Sequence, residues 1–372
     1  MSERVLITGG AGFIGSFLTD ALIAKGDVVR VFDNLEDQVH HGEIPAYLNA
    51  GAEFVRGDVR DSDALSAALQ DIDVVIHMAA AVGVAQSQYE IKHYADVNVG
   101  GTANLLDCIV NQKLPIRKIL MPTSMTSYGE GAYLCPEHGR VRPGLRKEED
   151  LARKDWQVHC PHCNAIVEPC AITEADERQS ATMYSLTKNM QEDMLLNIAK
   201  IYRIPATAFR LFNVYGPRQS LSNPYTGVMA IFASRIKNNN PPTIFEDGLQ
   251  SRDFISVHDV VKAFLIALET DKGDYEMFNI GSSTAMPIRD IGVAVAQSLG
   301  SSIKPVITGE GRKNDIRHCF ADTMKIREQV GWEPTMSFAD GLRELVEWAE
   351  NEKAVDRSDE ANAILRSKKL YP

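Results

Sequence analysis

Val5-Leu6-Ile7-Thr8-Gly9-Gly10-Ala11-Gly12-Phe13-Ile14-Gly15 decides the fold. An apolar run of strand length enters a turn crowded with glycines, and a helix-period pattern follows over about residues 13–25. Glycines in that place let the chain turn tightly. They also bring backbone N–H groups and a helix N-terminus against an anion such as a pyrophosphate. Gly9, Gly12, Phe13, Ile14 and Gly15 are therefore candidate dinucleotide contacts.

The same alternation continues downstream. Apolar runs over 28–32, 53–56, 74–77 and 119–121 alternate with helical patterns over about 61–69 and 97–110. Buried parallel strands joined by crossover helices are predicted, a doubly wound α/β sheet of the Rossmann type. Asp33 ends the second strand 18 residues after Gly15 (33 − 15 = 18), and Asn34 follows it. A carboxylate at that point accepts both hydroxyls of an adenosine ribose and repels a 2′-phosphate, so it favours NAD over NADP. Asp58 and Val59 would flank the adenine, and Ala79, Ala80 and Ala81 offer small side chains where backbone must approach the dinucleotide.

A second signal is Tyr184-Ser185-Leu186-Thr187-Lys188, inside a helical pattern over about 183–200. Positions i and i+4 share a helix face, so the phenol and the ammonium point into one pocket. A free phenol titrates near ~10. Lys188 and a bound nicotinamide cation both favour the phenolate, which would make Tyr184 a usable base near neutrality.

Between these signals, residues 131–178 mix prolines, charges, histidines and cysteines with neither period, and no regular structure is predicted there. Four of the six cysteines, Cys135, Cys160, Cys163 and Cys170, fall within 36 residues. Cys135-Pro-Glu-His138 and Cys160-Pro-His-Cys163, with 21 residues between them, read as two knuckles of a tetrahedral zinc ribbon. Cys170 competes with His138 for the fourth place, and unmetallated thiols or disulfides are the alternatives. Such a zinc would be structural. Cys108 and Cys319 are expected as reduced core thiols.

The whole chain has 372 residues, 44% hydrophobic and 24% charged, enough to bury a core unaided. Its net charge of −11 argues against nucleic-acid binding. The longest nearly apolar run, residues 74–85, is short of the ~20 that span a membrane, and the N-terminus opens directly into a strand pattern. A cytoplasmic chain with no membrane partner is expected. Residues 1–212 are expected to form the NAD-binding domain. Residues 213–372 would form mainly a smaller substrate lobe, with segments near 253–270 returning to the first domain, and 351–372 a peripheral helix plus tail.

The glycine turn, Asp33, Asp58, Ala79 to Ala81, Asn98, Ser124, Tyr184 and Lys188 together resemble the extended short-chain dehydrogenase/reductase family, specifically its nucleotide-sugar epimerases and dehydratases. The resemblance covers about residues 3–350 except the insert. It implies an NAD site that includes Asn98, Tyr184 and Lys188. It also implies a catalytic trio of Ser124, Tyr184 and Lys188, with Ser124 placed four residues before Tyr128 in Ser124-Met125-Thr126-Ser127-Tyr128-Gly129. Sugar dehydratases of the family carry Asp-Glu where Met125 and Thr126 stand, and the decarboxylases need a carboxylate nearby, so epimerisation is the reading that remains. Substrate contacts are implied at Ser124, Thr126, Asn213, Arg218, Arg252, Arg312 and Asp315, the arginines on phosphate and Asp315 on a ribose. Arg312-Lys-Asn-Asp315 departs from the family's pattern, in which Gly commonly precedes the Asp.

The insert and residues 213–227 further resemble a bacterial subgroup acting on dTDP-L-rhamnose. This implies NAD-dependent epimerisation at carbon 4 through a 4-keto sugar, giving dTDP-6-deoxy-L-talose. Alternatives are 4-epimerisation of UDP-glucose, UDP-galactose or their N-acetyl forms, a net NAD(P)-dependent oxidoreductase, and a non-catalytic NAD-binding scaffold. The family also implies a homodimer through the helices near 97–110 and 183–200.

Overall fold

The computed structural model describes residues 2–370. Seven parallel strands form its main sheet: β1 (Arg4–Thr8), β2 (Val28–Asp33), β3 (Glu53–Arg56), β4 (Val74–His77), β5 (Lys118–Ser124), β6 (Ala206–Leu211) and β7 (Glu276–Ile280). They lie in the order β7-β6-β5-β4-β1-β2-β3. Side chains alternate across each strand, and this divides the core in two. Val5 and Ile7 face a layer that includes the helices Phe13–Lys25 and Val257–Glu269. Leu6 faces the opposite layer, built on Ser62–Ala68, Gly101–Asn111 and Met183–Tyr202. The order reverses between β1 and β4, which opens a crevice at their carboxyl ends.

Two elements are longer than their periodicity predicts. β5 runs on through Thr123↔Arg210 and Ser124↔Leu211, so sheet pairing carries Ser124 to the rim of the crevice. The helix predicted from residue 97 begins at Ile91–Tyr94 and passes through a π-helical segment, Ala95–Gly100, before Gly101–Asn111. That wider turn holds Asn98 inward, where it is fully buried.

The insert does have regular structure, against the sequence expectation. Ala132–Cys135, Gly139–Val141 and Glu168–Cys170 make a three-stranded antiparallel sheet, and Glu148–Ala152 is a short helix. Strands of three or four residues are too short to show a period. Beyond β6, the strands Asn213–Tyr215, Ser251–Ser256, Ala285–Pro287 and His318–Cys319 form a second small sheet. Met229, Phe232, Ile291, Leu345 and their neighbours give that lobe its own core. β7 then returns to pair with β6. Near the end, Ser358–Ser367 is helical, and of the sequence-predicted tail residues 371–372 lie outside the described residues. No helix among the described residues is long and apolar enough to cross a membrane.

Candidate active site

A cleft of about 460 Å³ opens at the carboxyl ends of β1, β4 and β5. Gly9, Gly12, Phe13, Ile14 and Gly15 line one end, with Asp33, Asn34, Asp58, Val59 and Ala79 to Ala81. The glycines stand where nothing larger fits. A Cβ on Gly9 would meet the Ala79 nitrogen at 2.7 Å, and one on Gly15 would meet the Gly9 oxygen at 2.4 Å. Asp33 accepts hydrogen bonds from the Ala11 and Leu35 N–H groups at 3.0 and 2.9 Å, which fixes its carboxylate at the cleft wall. Bare turn, backbone donors and a fixed carboxylate match the pyrophosphate and ribose of NAD. Gly15→Ala is accordingly expected to destabilise the fold by about 1–3 kcal/mol through overpacking, and to purify with bound NAD reduced at least about tenfold. The NAD released on denaturation, counted per chain, checks this, and full occupancy would contradict it.

Asn98 is not at the cleft surface, contrary to the cofactor contact implied by sequence. Its side chain accepts from Ala81 N (2.8 Å) and donates to Ala81 O (3.2 Å) and Thr187 Oγ1 (2.9 Å). It therefore ties the cofactor-facing loop to the helix Met183–Tyr202. Asp58 lines the cleft but is already held by Arg60 and Asn34. The Arg60 hydrogen bond pulls its carboxyl down to about 2, against the effect of burial.

At the other end of the cleft stand Ser124, Tyr184 and Lys188. Thr182 and Ser185 cap the helix reciprocally. Ser87 Oγ accepts from Tyr184 N at 2.9 Å, and Gln88 accepts from Met183 N at 3.0 Å. The sequence does not show these two supports, because the three-residue 3-10 turn Gln86–Gln88 is too short to carry a pattern. Ser124 Oγ accepts from Thr126 N and Thr126 Oγ1 at 3.2 and 2.9 Å, and it lies on the Tyr184 side of the cleft. Lys188 Nζ donates to Pro122 O at 3.4 Å. Burial pushes the Tyr184 phenol up to about 12, with the Ser124 hydrogen bond opposing it, and burial holds Lys188 down to about 7. The sequence reading had the ammonium lowering the phenol. In the protein alone, desolvation dominates both groups.

Behind the trio, His77 is bracketed by Thr8 Oγ1 at 2.7 Å and Thr102 Oγ1 at 3.0 Å. Burial, then the charge of Lys188, lowers its pKa to about 3. Burial, then Arg317, Arg252 and Arg146, lowers His318 to about 3 as well. Between about 6.5 and 3 the unfolded chain binds protons at these positions that the folded chain does not. Stability is therefore present above 6.5 and is lost as pH falls through that window, by up to about 1.4 kcal/mol per pH unit per histidine. Urea midpoints at pH 7 and pH 5 should show the loss, and His77→Gln should reduce it. An unchanged slope in that variant would contradict the assignment.

On the substrate side, Thr126, Asn213 and Arg218 line the cleft, and Asn213 Oδ1 is buried with no hydrogen-bond partner. Arg218 sits nearer the first helix than expected. It pairs with Asp20 at 2.7 Å, and its guanidinium lies 4.3 Å from the centre of the Phe17 ring. Arg252, Arg312 and Asp315, implied by sequence as substrate contacts, come together outside the cleft lining. Asp315 accepts from Arg252 Nη2 at 3.1 Å and Arg312 Nε at 2.9 Å. Arg252 also donates to the backbone oxygens of Ser251, Ile316 and Arg317. A set of side chains missed in the sequence ties the surrounding loops together. Gln38 donates to Gln86 and Asn223 at 3.2 and 3.1 Å, and the Tyr89 and Tyr225 hydroxyls lie 2.7 Å apart.

In the insert, the ligand atoms of Cys135, His138, Cys160 and Cys163 all lie within 4.8 Å of one another. Cys170 is outside this group and accepts from Arg140 Nη1 at 3.4 Å, so the fourth member of the cluster is His138. The cysteines are unbridged, and Cys108 and Cys319 are buried thiols.

The profile of the NAD dependent epimerase/dehydratase family matches residues 5–145 and 164–281. The chain belongs to this family. The unmatched gap, 146–163, falls within the insert. A dTDP-L-rhamnose 4-epimerase of Burkholderia thailandensis is 35% identical over 353 residues, which are 94% of this chain and 96% of that protein. Among solved structures, UDP-glucose 4-epimerase of Thermotoga maritima with UDP-glucose superposes with a TM-score of 0.76 at 30% identity, covering 93% and 98% of the two chains. UDP-glucose 4-epimerase of Thermus thermophilus in complex with NAD gives 0.74 at 26% identity, covering 94% and 100%. This member of the epimerase/dehydratase family is an enzyme, an isomerase like the nucleotide-sugar 4-epimerases it matches over nearly their whole length.

Proposed function

We propose that the enzyme epimerises a nucleotide sugar at carbon 4 through a 4-keto intermediate, with dTDP-L-rhamnose and dTDP-6-deoxy-L-talose as its pair. The observation that carries the reaction is the placement of Tyr184 with Ser124 and Lys188 at the end of a dinucleotide-shaped cleft, beside Met125 and Thr126. Neither Met125 nor Thr126 can protonate a leaving hydroxyl, so elimination has no acid there.

Gly9 to Gly15, Asp33 and Ala79 to Ala81 hold NAD, which when bound supplies reversible hydride acceptance at carbon 4. Tyr184 takes the proton of the 4-hydroxyl at its phenolic oxygen and later returns it. Ser124 orients that hydroxyl, and Lys188 presents positive charge to the phenol and the nicotinamide ribose. Asn213, with its open acceptor, and Arg252, Arg312 and Asp315 bind the nucleotide diphosphate portion.

The 35% identity with the Burkholderia protein supports the choice of sugar. Met125 and Phe212 in the lining also suit the methyl group of a 6-deoxy sugar. The Cys/His cluster of the insert holds a structural zinc, and the chain works as a cytoplasmic homodimer. Incubation with dTDP-L-rhamnose and, separately, UDP-glucose, followed by NMR of the recovered sugars, tests the substrate. Conversion of the first supports the full reading. Conversion of UDP-glucose alone would keep the reaction and replace the sugar.

A further inference from the structure

The four donors in the insert have the spacing of a closed tetrahedral site. Cys135 Sγ lies 3.6 Å from Cys163 Sγ and 3.6 Å from His138 Nδ1, and Cys160 Sγ lies 3.7 Å from the same nitrogen. Zinc bound at ~2.3 Å to sulfur and ~2.0 Å to nitrogen gives tetrahedral edges of roughly 3.5–3.8 Å. A disulfide needs its sulfurs at ~2.05 Å, so these thiols are not paired with each other.

The base of the insert is tied to the lobe, with Ile172 N donating to Phe320 O and Gly131 N to His318 O, but the knuckle end has only a small core. Its own core is Tyr133, Cys135, Val141, Val158, Cys160 and Val167, two of which are ligands. A core that small leaves the knuckle end in need of a staple.

What the staple holds in place is the segment around 315–318. Glu130, 1% exposed at the root of the insert, accepts from Arg317 N at 2.7 Å, His318 N at 3.0 Å and the Tyr133 hydroxyl at 2.7 Å. Arg146, farther into the insert, makes two bonds to the Glu246 carboxylate at 2.7 and 2.9 Å and one to Asp315 O at 3.2 Å. Arg317 donates to the same Glu246 at 2.8 Å. From the other side Arg252 binds the Ile316 and Arg317 oxygens. Ile316 packs against the cluster of Met125 and Phe212, two residues that line the cleft.

We infer that the metal centre is a positioning device for substrate: zinc on Cys135, His138, Cys160 and Cys163 fixes the insert. Through Glu130 and Arg146, the insert then fixes the 312–318 segment that carries Arg312 and Asp315 beside Arg252. The inference rests on the nucleotide-sugar reading for the identity of the ligand. None of Cys135, His138, Cys160 and Cys163 lines the cleft.

The test uses the full-length protein, with dTDP and UDP as probes. As isolated, it should contain one zinc per chain. Cobalt substitution should give the visible absorption of a tetrahedral thiolate site. Cys163→Ser, or chelation of the wild type should that variant fail to fold, should remove the metal and weaken nucleotide binding by at least about tenfold, while bound NAD per chain stays unchanged. His138→Cys should keep both metal and affinity. Protein that takes up neither zinc nor cobalt would overturn the inference. Unchanged nucleotide affinity after metal loss, or NAD lost in step with it, would also overturn the inference. Should the 4-epimerase reading fail instead, sugar conversion would be absent while the metal and nucleotide measurements stood.

Discussion

Tyr184→Phe is expected to lower turnover by about 10²–10⁴-fold while bound NAD and the urea midpoint stay at wild-type values. The phenol ring packs edge-on against Tyr94, with centroids 6.4 Å apart, and Phe preserves that contact. The backbone N–H of residue 184 also keeps its bond to Ser87, so the helix start is untouched. Only the hydroxyl next to Ser124 disappears, and with it the group that takes the 4-hydroxyl proton. Initial rates together with NAD content separate the two roles. A variant that keeps more than about a tenth of wild-type turnover would show that another group moves the proton. Because burial pushes the phenol up to about 12, a charged neighbour has to bring it into range. Lys188, one helical turn away on the same face, serves when protonated, and burial holds it down to about 7.

Arg210→Leu is expected to destabilise the fold by about 3–5 kcal/mol. Arg210 on β6 and Glu192 on the helix of Tyr184 form a two-pronged pair at 2.9 and 2.6 Å, with side chains 2% and 3% exposed. Thr123, beside Ser124, donates to Glu192 at 3.0 Å. Arg210 also donates to the Tyr128 hydroxyl at 2.8 Å, which in turn donates to Asn279 at 2.7 Å. The pair therefore joins β5, β6, β7 and the helix beneath the trio. Removing Arg210 leaves Glu192 in the core with only the partly exposed Arg178, at 3.3 Å, as its counter-charge, whereas replacing both with leucine removes that cost. The double variant Glu192→Leu/Arg210→Leu should recover most of the lost stability in urea unfolding. A double variant no better than Arg210→Leu would place the cost in the specific hydrogen bonds rather than in the unpaired charge.

Reading the sequence worked where the chemistry is local. The glycine turn, Asp33 and the Tyr184/Lys188 spacing each follow from a period or a fixed offset, and the fold brings them to one cleft. The two Cys/His knuckles were legible for the same reason. Asn98 was misread because its partners, Ala81 and Thr187, come from distant elements, and only the π-helical segment turns it toward them. The short strands of the insert escaped because they rest on a side-chain cluster and on Glu130, not on a repeating apolar pattern. The balance between Tyr184 and Lys188 is a matter of desolvation, which depends on how deeply the assembled sheet and helix bury both groups. Arg252, Arg312 and Asp315 stand out by motif, but the bonds they make to one another and to residues 316–317 are set by the tertiary path of the lobe.

The most direct measurement is conversion of dTDP-L-rhamnose in D₂O with no cofactor added, read by NMR at carbon 4 of the product. A hydride that leaves carbon 4 and returns within the closed cleft never exchanges with solvent. The expected product is a 4-epimer of equal mass that carries protium at carbon 4. Deuterium at that carbon would mean that the carbon-bound hydrogen leaves as a proton, and it would contradict the central claim.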